Sequence, residues 1–143
     1  MRWRWVFYTI LLCKLYLTIS RTAINIRQKR VYDPPSPDDG LRVLIDGLRP
    51  RGISRERAAI DLWARELAPS NELRRWYGHR PERFDEFDRR YRAELDGQRD
   101  RLTELREAAR SGRVTILFGA RDVEHSNATV LVDVLRHGLP RQP

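Results

Sequence analysis

The chain has 143 residues, enough for one domain around one core and too few for two ordinary ones. Its formal charge is +8, but residues 1–30 hold seven basic side chains and no acid, which leaves 21 basic against 20 acidic residues in the rest. A uniformly basic nucleic-acid-binding surface is therefore not what the net charge implies, and Cys13, the single cysteine, excludes disulfides and cysteine metal sites from everything that follows it.

Residues 1–22 read as an extension. "MRWRWVFYTILLCKLYLTIS" has a basic start and an apolar run from Trp5 to Cys13. Lys14 would then sit near the middle of a spanning helix, at a cost of about 2.5–3.5 kcal/mol. "TISRTAI" lacks a small-x-small cleavage site, so neither a strong membrane anchor nor a clean secretory leader is expected. A mis-assigned translation start is the expectation, with a membrane-surface tail or a weak signal as alternatives. Met1 is the chain's one methionine, so a later start needs an alternative start codon. The cytoplasm is the expected compartment.

From residue 23 the pattern is that of a small α/β domain. "AINIRQKRVY" alternates and then turns basic, as an edge strand with one wet face does. "DPPSPDDG", residues 33–40, is a loop because three prolines exclude helix and central strand. "LRVLID", residues 41–46, predicts a short strand. "GLRPRGIS" then leads to a predicted helix capped by Ser54, with Ile60, Trp63 and Leu67 as its core face. Ser70 starts a short helix with Leu73, Trp76 and Tyr77 inward.

Pro81 opens a longer helix striped by Phe84, Phe87, Tyr91 and Leu95. Gly97 weakens it, and Leu102, Leu105 and Ala109 continue or restart it as far as Ser111 and Gly112. "VTILFGA" is the most apolar strand and hence the central one. A last helix carries Ala128, Leu131, Val132 and Leu135, and stops at Gly138 and Pro140. The expected fold is a single α/β domain with a three- to four-stranded, mostly parallel sheet covered by helices.

The ordered segments "KRVYDPPSPDDG-RVL-D", "PRG", "DLW", "LAPS-ELR-W-GH-P", "F---Y--EL" and "VTIL---RD-EH--A-VL" run from about Ile24 to Leu135. Together they resemble the short YeaO-like members of domain-of-unknown-function family 488. The resemblance implies a domain over residues 23–143 and favours a mis-assigned start for the first 22. It implies no particular reaction. The chain departs from the family's "DRLWPRG", reading "DGLRPRG" at residues 46–52, with Gly47 for arginine and Arg49 for tryptophan. Ser126 also stands where the family often has asparagine after the position of His125.

Ligands of α/β sheets bind beyond the carboxyl ends of the strands. If strands 41–46 and 114–119 are parallel neighbours, the loops "DGLRPRG" and "ARDVEHSN" share one edge. That edge would gather Arg49, Arg51, Gly52, Arg121 and Asn127 as binders of a phosphate- or carboxylate-bearing small molecule. His125 is the available acid–base group, with Asp122 or Asp46 to orient it, so an enzymatic role is open.

Each residue has a plainer role beside this one. Asp122 suits a helix N-cap, Glu124 a first-turn acid, Gly52 a turn, and Asp46 a buried partner of an arginine. His79 and His125 could join Asp46 or Asp122 around a metal, but no compact ligand spacing such as H-E-x-x-H supports one. No P-loop, G-x-G-x-x-G or G-x-S-x-G is present, and the sequence names no cofactor. The alternative function is a non-enzymatic module for nucleic acid or a partner protein. It would use "RRWYGHRPERF" and the basic strand Arg27 to Arg30, although Trp76, Tyr77 and Phe84 fit core-facing positions equally well.

Overall fold

The computed structural model describes residues 23–141, so the expected extension over residues 1–22 lies outside the described residues. Four parallel strands form one sheet in the order β1-β4-β2-β3: β1 Ile26–Arg30, β2 Leu41–Leu44, β3 Leu62–Trp63 and β4 Val114–Phe118. The apolar run 114–118 is central as expected, pairing with β1 on one side and β2 on the other. No helix among the described residues is long and apolar enough to cross a membrane.

The helices are α1 Asn71–Tyr77, α2 Phe84–Asp96, α3 Arg99–Ser111 and α4 Asn127–His137. The Ser70 hydroxyl accepts from the N–H of Leu73, which caps α1. Pro81 lies in a 3-10 turn leading into α2, and the helix restarts beyond Gly97 at Arg99. Alternation in the strands gives the helices one face of the sheet. Ile26, Val43, Ile45, Val114, Ile116 and Phe118 pack there with Phe87, Tyr91, Leu95, Leu131 and Leu135. Fully burying side chains of this size stabilises the fold by about 1.5–3 kcal/mol each.

The other face is covered by loops. Val31, Leu44, Leu117 and Ala58 form a small second cluster there, flanked by Ile53, Ile60 and Trp63. Because β1 passes to β2 through residues 31–40 with only a 3-10 turn at Pro37–Asp39, no helix among the described residues protects this side. The connection is held instead by the carboxylate of Asp39, which is 0% exposed. It accepts from Arg27 at 2.6 Å, from Lys29 at 3.2 Å and from Arg42, itself 3% exposed. Thr115 donates its hydroxyl to the Asp39 carbonyl at 2.6 Å. The next residue, Gly40, takes φ +63 where a Cβ would stand 2.1 Å from the Arg113 carbonyl oxygen, so only glycine fits.

The helix expected over residues 54–67 is corrected. It begins, since Ser54 accepts from the N–H of Arg57 through its hydroxyl and from that of Ala58 through its carbonyl. It then stops after one turn, as Ala59 adopts φ 50 and Arg42 takes the carbonyls of Ala58 and Ala59. Carbonyls bound by a buried guanidinium cannot propagate a helix. Asp61 accepts from the N–H of Arg42 at 2.8 Å, and Leu62 and Trp63 pair with Val43 and Leu44 as an edge strand. The three- and four-residue spacing of Ile60, Trp63 and Leu67 is thus divided among the stretch before β3, β3 itself and a 3-10 turn.

Burial alone would raise the pKa of Asp39, but hydrogen bonds from Ser36, Lys29 and Arg42 more than offset it and leave it at about 2. A depressed folded pKa contributes stability that is present above the unfolded value and lost as pH falls toward the folded one. Urea melts should therefore show stability declining from about pH 4 to pH 2, with a flatter profile in Asp39→Asn. At neutral pH, Asp39→Ala should cost about 3–5 kcal/mol, because Arg42 is left buried without a counter-charge.

Candidate functional site

Parallel pairing sets the end of β2 beside the end of β4, and Asp46 ties the two together. One carboxylate oxygen accepts from the backbone N–H of Gly119 at 2.7 Å, and the other accepts from the Asn127 amide at 3.1 Å. A Cβ at residue 119 would lie 3.1 Å from that carboxylate, so glycine permits the approach. The Asp46 carbonyl accepts from the indole N–H of Trp63 at 2.7 Å. This residue therefore joins the ends of three strands to the first turn of α4. Burial pushes the Asp46 carboxyl above its ordinary range, opposed by Asn127, Gly119 and the charges of His79 and Arg74.

His125 stands two residues before Asn127 on the helix-covered side, its ring edge-on to Phe84 at 5.1 Å. Its Nδ1 lies 2.7 Å from one oxygen of Asp122, whose other oxygen accepts from the His125 backbone N–H at 3.1 Å. The orienting carboxylate is thus Asp122. The N-cap of α4 is Ser126, which accepts from Thr129, and not Asp122. A carboxylate against Nδ1 selects the Nδ1–H tautomer and leaves Nε2 as the acceptor. The side chains of His125 and Asp122 are 36% and 45% exposed, and this hydrogen bond is the leading cause that holds Asp122 below the usual carboxylate range. The Tyr77 hydroxyl donates to the His125 carbonyl at 2.7 Å, anchoring the loop to α1.

The arginines of the first loop divide from this group. Arg49 lines a cleft of about 100 Å³ on the loop-covered face, with Leu44, Pro50, Ile53, Arg55, Ile60 and Trp63. Leu44 belongs to the second cluster, whereas Phe84 and Tyr77 beside His125 belong to the helical layer, so the sheet stands between the two groups. Arg55 donates from Nε to the Ile60 carbonyl at 3.4 Å, and the Arg65 guanidinium lies over the Trp63 ring at 3.7 Å. Arg51, Gly52 and Arg121 are exposed. Gly52 turns the chain at φ +76, and neither Arg51 nor Arg121 makes an ion pair among the described residues.

Of the two-loop cluster expected from sequence, Asp46 meets Asn127, and His125 meets Asp122. Arg49 meets neither pair. Sequence reasoning missed Arg55 and Trp63 as neighbours of Arg49, because a helix over 54–67 would have separated them. It also missed Arg74 and His79 as charges acting on Asp46. No group of three or more histidine, cysteine or acidic side chains among the described residues is arranged to hold a metal ion. Within "RRWYGHRPERF", Arg83 lies over the Trp76 ring at 5.3 Å, and α2 supplies Arg90 over the same ring at 4.4 Å and Phe87, on which Tyr77 stacks at 4.3 Å.

Residues 25–143 match the family described as the inactive DUF488-N3 subclade. The chain belongs to this subclade. The uncharacterized protein Rv3073c of Mycobacterium tuberculosis is 44% identical over 111 residues, which cover 78% of this chain and 93% of the relative. The uncharacterized protein YeaO of Escherichia coli is 38% identical over 113 residues, or 79% of this chain and 98% of its own. No solved structure matches. The YeaO-like resemblance read from the motifs is therefore correct, and this DUF488-N3 chain has the α/β sheet expected from its hydrophobic pattern.

The Asp46 bridge gives a direct expectation. Asp46→Ala should destabilise the protein by about 1–3 kcal/mol in urea titrations, since the Gly119 N–H and the Asn127 amide lose their acceptor. An unchanged midpoint would show that the three strand ends do not depend on it.

Proposed function

We propose that this protein binds a small anionic molecule at the loop that follows β2, without turning it over. One observation carries the reading: Arg49 and Arg55 flank a cleft that no carboxylate among the described residues lines. Guanidinium groups beside low-dielectric walls attract oxyanions more strongly than they would in open water, and their planar forks match carboxylate and phosphate. Exposed Arg51 and Arg121 add positive potential at the carboxyl edge of the sheet. The subclade's description as inactive supports binding without reaction. Both oxygens of Asp46 already accept a hydrogen bond, which suits a structural brace better than a free base.

The contact between Asp122 and Nδ1 of His125 favours a second reading, in which Nε2 handles a proton on a ligand seated on the helix-covered side. The two readings separate by mutation. Thermal-shift titration of the full chain with acetate, phosphate and larger organic anions should raise the melting temperature through binding to the native state. Arg49→Gln should abolish the shift while changing the ligand-free stability by no more than about 0.5 kcal/mol, as an exposed side chain does. A shift kept in Arg49→Gln and lost in His125→Gln would replace the first reading with the second.

A further inference from the structure

The walls and size of the cleft narrow the ligand class. Leu44, Ile53, Ile60 and Trp63 supply apolar carbon, and the Trp63 N–H is already committed to the Asp46 carbonyl. Hydroxyl-rich molecules would surrender hydrogen bonds to water on entering such walls, with nothing to replace them. The volume, about 100 Å³, is well below the roughly 300–1,000 Å³ of sites that enclose a drug-sized ligand. It is nearer the engineered apolar cavity of about 150 Å³ that takes up benzene. A whole nucleotide or sugar phosphate therefore does not fit within it, whereas one ring can seat against its walls with one edge left open to solvent.

The charges stand at the rim. Arg49 and Arg55 are both exposed, and Arg55 is steadied by its bond to the Ile60 carbonyl, on a residue that itself lines the cleft. Arg65 covers the Trp63 ring and holds its plane. A ligand that satisfies both the walls and the rim has a flat apolar body and one oxyanion directed outward.

We infer that this cleft is a subsite for a single aromatic ring bearing an oxyanion, an arylcarboxylate in the simplest case, with the ring against Trp63, Ile53 and Ile60 and the oxyanion at Arg49 and Arg55. The inference rests on the anion-binding reading and narrows it to a ligand class. It gives Trp63 and Arg55 binding roles that the sequence motifs did not suggest.

The test is a calorimetric or NMR titration of the full chain with benzoate, benzamide, acetate and phenyl phosphate. Benzoate should bind about tenfold or more tightly than either benzamide or acetate, since a charged hydrogen bond and a buried ring each contribute that much. Arg49→Gln and Arg55→Gln should each bring benzoate toward the affinity of benzamide. Phenyl phosphate outbinding benzoate would keep the class and set its head group as phosphate. Acetate matching benzoate would overturn the ring assignment and leave the anion reading intact. Benzamide matching benzoate, with the arginine variants inert, would overturn both, as would the failure of all four probes to bind.

Discussion

The buried carboxylate of Asp39 is the constraint on which the loop-covered half of the molecule depends. It neutralises Arg42 inside the sheet face, and Arg42 in turn takes the carbonyls of Ala58 and Ala59 and, through its backbone N–H, the carboxylate of Asp61. One ion pair thereby positions both connections that replace helices on this side: residues 31–40 and residues 54–61. The apolar cluster beneath them is small, so packing alone gives these loops little reason to adopt one arrangement. A buried ion pair is weak evidence of net stabilisation, because well-packed apolar residues often serve as well. Its contribution here is positional. It halts the turn after Ser54 and delivers Leu62 and Trp63 to the sheet edge, where Trp63 forms one wall of the Arg49 cleft.

Asp46 has the corresponding role at the carboxyl edge. Its side chain bridges β4 and α4 while its carbonyl receives Trp63, so the helix-side loop and the cleft share one brace. An aspartate at a strand end in an α/β sheet is a natural candidate for chemistry, yet each of its oxygens here holds a chain segment in place. The Arg49 cleft on one side of the sheet and the His125–Asp122 pair on the other are therefore mechanically connected without being one site.

Much of the fold was legible from local pattern. The alternation in residues 24–30, the apolar run 114–118, the Ser70 cap and the Phe84, Phe87, Tyr91 and Leu95 stripe each report a local preference that tertiary structure respects. The parallel adjacency of β2 and β4 was only a condition of the sequence reading; the structure meets it, and so sets Asp46 beside Asn127 at one edge. Residues 54–67 were not legible, because what ends their helix lies at Arg42, twelve residues before Ser54, and because the spacing of Ile60, Trp63 and Leu67 also fits a helix face. The division of the candidate site has the same origin. With that helix assumed, Arg49 had no cleft to enter, and nothing in the spacing of "DGLRPRG" reports which face of the sheet its arginine joins.

The central claim is that the ligand-binding face is the loop-covered side, built around Trp63 and Arg49, and not the helix-covered side at His125. The most direct measurement is a two-dimensional NMR map of the full chain during titration with benzoate, following the Trp63 indole N–H and the methyl groups of Ile53 and Ile60. Binding in the cleft should give saturable shifts centred on these three residues, with the His125 ring unmoved. Shifts centred on His125 and Asn127, with Trp63 unmoved, would contradict it.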